Sequence, residues 1–164
     1  MNETYVECLV ARKSSGLMSF LKILLIMLTV VFVLIGMMFV PGFLVAIATG
    51  VGAYFAYMNA DVEYEYLYLD KEISIDKVMA KSKRKKVGTY SVEKMEILAP
   101  VNSYHLDSYK NREFKMKDYS SGVEEKPEKR YAMICEGGEK VLLEPNEAMI
   151  KAIRNVAPRK VFTD

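Results

Sequence analysis

The chain has 164 residues, 51% of them apolar and 27% charged, with a formal net charge of +2. Those averages suit one soluble domain, but the classes are segregated: Ile23 to Ala60 is 38 residues without a charge, whereas Asp61 to Asp164 holds 20 Lys or Arg and 19 Asp or Glu. The segregation excludes a wholly soluble, a disordered or a coiled-coil chain, and the small net charge leaves no electrostatic footprint for nucleic acid.

In chain order, Tyr5 to Val10 alternates with period two and reads as a strand within a segment 1–16. It is placed to pair with a later sheet and close an otherwise bare edge. The apolar run follows. As one helix it would be about 57 Å long at 1.5 Å per residue, against a hydrocarbon core of about 30 Å. Pro41-Gly42 interrupts it, because proline disfavours helix in the residue before it and glycine permits a turn. Two helices are therefore expected over 17–59, roughly Leu17 to Phe39 and Phe43 to Asn59, with the turn near 40–42. A signal peptide would have an apolar core of about 7–15 residues and a small-residue cleavage site; this run is more than twice as long and Met58-Asn59-Ala60 does not fit.

Arg12, Lys13 and Lys22 are read as preceding the first helix, and the turn is uncharged. The positive-inside rule then keeps the basic flank, and after a hairpin the residues from 60 to 164, in the cytoplasm of the cell membrane. Cys8 and Cys135 would both sit in a reducing compartment, so no disulfide is expected. The spans read as free of charge, an anchor rather than an ion path. Ala48, Gly52 and Ala56 recur four apart in the second helix, which suits close packing against the first helix, or alternatively a homo-oligomer contact.

Val62 to Leu69 sets Tyr64, Tyr66 and Tyr68 on one face of a strand. Asp70-Lys71 turns it into a second strand, Glu72 to Met79. Beyond the polar run Lys81 to Lys86, short strands are expected at Val87 to Val92 and Lys94 to Leu98, with Ala99-Pro100 ending that series. Val101 to Tyr109 reads as irregular, Arg112 to Tyr119 as an edge strand, and Ser120 to Glu128 as a loop. Tyr131 to Cys135 and Lys140 to Leu143 form a hairpin about Gly137-Gly138. Pro145 suits a first helical position, and Met149, Ile150, Ile153 and Val156 recur at helical spacing until Pro158. The fold class is a membrane helical hairpin followed by an α+β domain: an antiparallel curled sheet or barrel, capped by the C-terminal helix.

Two anchoring helices, six or seven strands and a final helix resemble the membrane-tethered form of bacterial pleckstrin-homology-like (PH-like) domains. Glu144-Pro145-Asn146 through Arg159-Lys160-Val161-Phe162, with Ile97-Leu98-Ala99-Pro100 and Asn2-Glu3-Thr4-Tyr5-Val6-Glu7, are similar to an uncharacterised bacterial family of two-span proteins. The resemblance implies a fold and no agreed activity.

For chemistry, His105 and Asp107 are the one base-and-orienter pair, suggesting a membrane-associated hydrolase against the commoner reading of a loop histidine held by local hydrogen bonds. Nothing clusters as metal ligands, and Gly137-Gly138 is a strand turn rather than a phosphate loop. No cofactor is expected. Lys81, Lys83, Arg84, Lys85 and Lys86 are either a solvated turn or a contact for anionic lipid or an acidic partner. The leading reading is a membrane-anchored, non-enzymatic binding or scaffold module, whose partners are the lipid bilayer and a membrane protein or a second copy. Direct anionic-lipid recognition is the alternative.

Overall fold

The computed structural model describes residues 5–123, 125 and 127–164. Met1 to Thr4 of the expected N-terminal segment, and Glu124 and Lys126 of the expected Ser120–Glu128 loop, lie outside the described residues. The elements are β1 (Val6–Ala11), α1 (Gly16–Met38), α2 (Gly42–Ala60), β2 (Val62–Leu69), β3 (Glu72–Met79), β4 (Lys83–Ser91), β5 (Met95–Pro100), β6 (Lys115–Asp118), β7 (Tyr131–Cys135), β8 (Glu139–Leu143) and α3 (Glu147–Val156). The segment expected to be irregular contains a 3-10 helix, Tyr104–Tyr109. Two compact bodies result: a helical one, Lys13–Val62 with Val78–Lys83, and a sheet body made of the described residues up to Arg12, Glu63–Lys77 and Arg84–Asp164.

In the helical body, α1 and α2 are both long and apolar enough to cross a membrane. Their shielded positions fall on matched seams. On α1 these include Met18, Lys22, Leu25, Thr29, Phe32 and Gly36; on α2 they include Gly42, Ala46, Thr49, Ala53, Ala56 and Ala60. Steps of four and three are the signature of left-handed helix pairing. The small side chains of α2 let the backbones approach most closely at the turn, where a Cβ on Gly42 would stand 2.8 Å from the Gly36 nitrogen. Further along, the Thr29 and Thr49 hydroxyl oxygens are 3.2 Å apart.

Two expectations change here. Of the expected small-residue face, Ala56 is buried and Gly52 partly so, but Ala48 is exposed. A strict four-residue step drifts around a helix of 3.6 residues per turn, whereas the observed seam alternates four with three. The spans are also not free of charge: Lys22 lies within α1, its ammonium 5.7 Å from the centre of the Tyr57 ring.

In the sheet body, β1 runs antiparallel to β2, with Val6 opposite Tyr68 and Ala11 opposite Glu63. The N-terminal strand thus joins the sheet and becomes its edge, in the order β1-β2-β3-β4. Tyr64, Tyr66 and Tyr68 are buried and alternate with partly exposed Glu63, Glu65 and Leu67. Asp70 and Lys71 both have positive φ, as do Ala80 and Lys81. That pairing marks the two-residue turn whose twist matches the strands it joins.

The expected curled sheet or barrel is not formed. The strands make two separate four-stranded sheets, the second in the order β5-β7-β8-β6, with β6 parallel to β8 rather than antiparallel. The chain corners out of the first sheet between Ser91 and Met95, where the Lys94 amide donates to Ser91 and the Met95 amide to Val92. The free edge of β5 is then occupied by the C-terminal segment: the Leu98 amide donates to Lys160 and the Phe162 amide to Leu98. β4 is left as an edge whose first four residues are all cationic, a composition that resists further strand pairing.

Ile97, Ala99, Ala132 and Ile134 of the second sheet form a cluster with Leu106 from the 3-10 helix, flanked by Tyr109, Phe114 and Phe162. α3 opens on Asn146, whose side-chain oxygen accepts from the Met149 amide at 2.8 Å. Asn146 is therefore the N-cap, and Pro145 lies before the helix rather than in its first position. Met149, Ala152 and Ile153 are its buried residues.

Tyr66 ties the first sheet to the second. Its hydroxyl donates to the Tyr119 carbonyl and accepts from the Glu144 amide at 3.3 Å. Burial pushes this phenol far above its ordinary pKa, so it stays a donor. Tyr66→Phe should cost about 1–3 kcal/mol, because a buried amide and carbonyl lose their partner while the ring still packs. Hydrogen exchange at the Glu144 amide should accelerate along with global unfolding; an unchanged rate would mean that the hydroxyl carries no load.

Candidate functional site

The basic run divides between turn and strand. Lys81 belongs to the turn after β3, while Lys83, Arg84, Lys85 and Lys86 are the first residues of β4, and all five are exposed. Arg84 spends its charge within the sheet: its guanidinium meets Glu65 at 2.9 and 3.3 Å in a two-pronged pair. Among the described residues Lys81, Lys83, Lys85 and Lys86 form no ion pair.

The turn is pinned to the end of α2, because the Ala80 amide donates to the Asp61 carbonyl at 2.7 Å. Arg12, by contrast, faces into the sheet body, donating to the Tyr64 hydroxyl at 2.9 Å and to the Asp118 carbonyl at 3.4 Å. The Arg12 guanidinium is therefore bonded within the sheet body. The Lys22–Tyr57 contact was missed in the sequence, although the two residues stand at mirror positions about the Phe39–Gly42 turn.

His105 and Asp107 do not pair with each other. The imidazole lies between Tyr104 and Phe162, with ring centres 4.0 and 3.7 Å away, and its Nε2 is 3.5 Å from Asp164. Asp107 pairs instead with Lys110 at 2.6 Å. One 3-10 turn carries both residues, yet each turns to a different partner, so the hydrolase reading loses its dyad. Among the described residues no group of three or more His, Cys, Asp or Glu could hold a metal.

Cys8 and Cys135 are both free. Burial raises both thiols, Cys135 to about 11 with Glu139 and Glu96 adding to the effect, which is the reverse of what an activated nucleophile needs. An open pocket of about 390 Å³ is lined in part by Lys71, Glu93, Pro158, Arg159 and Lys160. Lys71 is paired there with Glu93 at 2.9 Å, and the Lys160 ammonium donates to the Glu93 carbonyl.

Two four-stranded sheets and one packed amphipathic helix make this an α+β domain. More particularly, the chain belongs to the Bacterial PH-like domain (DUF6106) family, whose model matches residues 2–163. No curated protein and no solved structure matches the chain.

Proposed function

We propose that the protein is a membrane-anchored, non-enzymatic binding module, with the helical hairpin in the cell membrane and the sheet body in the cytoplasm. The observation that carries this reading is the β1–β2 ladder. β1 precedes the hairpin and β2 follows it, and Ala11 stands opposite Glu63. Residues paired in one ladder share one side of a bilayer, so the intervening helices cross an even number of times. Charge then selects the side: Lys13 and Lys22 lie at the paired end, and the Phe39–Phe43 turn has none. The partner surface we assign to the sheet body is the edge strand β4, where Lys85 and Lys86 favour an acidic partner.

Single cysteines at Met38 and Thr163, in a chain with Cys8 and Cys135 replaced by Ala, test the topology. An impermeant maleimide applied to intact cells is expected to label Met38→Cys, which is 93% exposed, and to spare Thr163→Cys. Labelling of Thr163→Cys from outside would overturn the reading.

A further inference from the structure

The charges of the helical body are polarised. It contains Lys13, Lys22, Lys81 and Lys83 against the single carboxylate Asp61, and all lie toward the end where α1 begins and α2 finishes. The opposite end, Met38 to Phe43, carries none. Lys13 stands three residues before α1. Lys22 lies against the Tyr57 ring, and Tyr57 is itself half-exposed, as a tyrosine at a headgroup boundary is. Lys81 follows Ala80, whose amide is bonded to the last carbonyl before β2.

From this arrangement we infer that Lys13, Lys22, Lys81 and Lys83 form a cationic collar that selects anionic phospholipid around one end of the hairpin. The inference rests on the anchored reading above and adds a ligand class to it. The headgroup field decays within about 8 Å at physiological salt, so only cations held near the exit of the helices contribute. A basic tail would meet that condition only part of the time. Here two of the four are held from inside the helical body: the Lys22 ammonium by an aromatic ring, and the Lys81 backbone by a turn bonded to the residue that caps α2. Their ordering is prepaid in folding, which is what separates lipid selection from a charge bias that acts only during insertion. Lys85 and Lys86 belong to the sheet body and stand two and three residues further along β4 than Lys83.

The full chain in phosphatidylcholine bilayers, with trace spin-labelled phosphatidylglycerol or spin-labelled phosphatidylcholine, tests this through the motionally restricted fraction of each lipid. Phosphatidylglycerol is expected to associate about fivefold more strongly, the effect of roughly one net near-surface cation. The preference should shrink at about 1 M salt, where the screening length is about 3 Å. Lys81→Gln with Lys83→Gln should bring it towards unity, and Lys85→Gln with Lys86→Gln should reduce it less. Equal association of the two lipids in the unmodified chain, or the same loss from both double variants, would overturn the collar while leaving the anchor intact. A bilayer showing no restricted component for either lipid would instead overturn the anchor, and the collar with it.

Discussion

Ile153→Ala is expected to lower the stability of the sheet body by about 2–5 kcal/mol, as truncation of a buried branched side chain does. Ile153 is 1% exposed and shares its helix face with Met149 and Ala152. α3 is only ten residues long, too short to hold its shape without tertiary packing. The loss would be a large part of the about 5–15 kcal/mol that stabilises a domain. Lys151, on the exposed face of the same helix, provides the contrast: Lys151→Ala should change stability by less than about 0.5 kcal/mol. Denaturant unfolding of the full chain in lipid nanodiscs, followed by hydrogen exchange of the β7 amides, measures both. Equal losses would show that the buried face of α3 had been assigned to the wrong side.

Gly42→Leu should destabilise the hairpin by about 3 kcal/mol or more, the upper end for overpacking a tight contact. The first added carbon would meet Gly36 backbone atoms at 2.8 and 2.9 Å, and backbone cannot step aside as a side chain can. Gly36→Ala should be milder, because the atoms its Cβ would meet belong to the Phe43 ring, which can rotate. Ala48→Leu should cost almost nothing, since that residue faces outward. Distance distributions between spin labels at Ile26 and Val51, both exposed, should broaden for Gly42→Leu and stay narrow for Ala48→Leu. Broadening by Ala48→Leu alone would restore the four-residue face as the packing surface.

Much of this architecture was legible where one physical rule acted alone. The helical hairpin, the tyrosine face of β2, the Gly137-Gly138 turn and the amphipathic α3 each follow from period, length or turn chemistry, and the structure places their boundaries within a few residues. Local rules failed where the outcome depended on distant residues. The Ala80-Lys81 turn carries neither glycine nor asparagine, so β4 was expected to begin at Val87 rather than Lys83. Sheet closure failed because Lys160 to Phe162, some sixty residues away in sequence, occupies the edge of β5. At the site, composition located the basic run but not its division. That depended on Arg84 finding Glu65 and on Ala80 finding Asp61, neither of which leaves a mark on spacing. The His105–Asp107 pairing was suggested by proximity in sequence and undone by Phe162, Asp164 and Lys110.

The β1–β2 ladder also imposes an order in time. During synthesis β1 emerges first, but its partner lies beyond both helices, so roughly fifty residues must be made before the two can meet. At about 5–20 residues per second this is a wait of several seconds. Through that interval β1 is a strand without a partner. Once the helices are paired, their antiparallel course brings Ala11 and Glu63 together, and most of the entropy of closing so long a loop has already been spent. Pairing of the two helices thus acts as a checkpoint: a chain whose helices fail to pair is left with β1 unmatched and the edge of β2 open, the kind of exposed surface that quality-control proteases and chaperones engage.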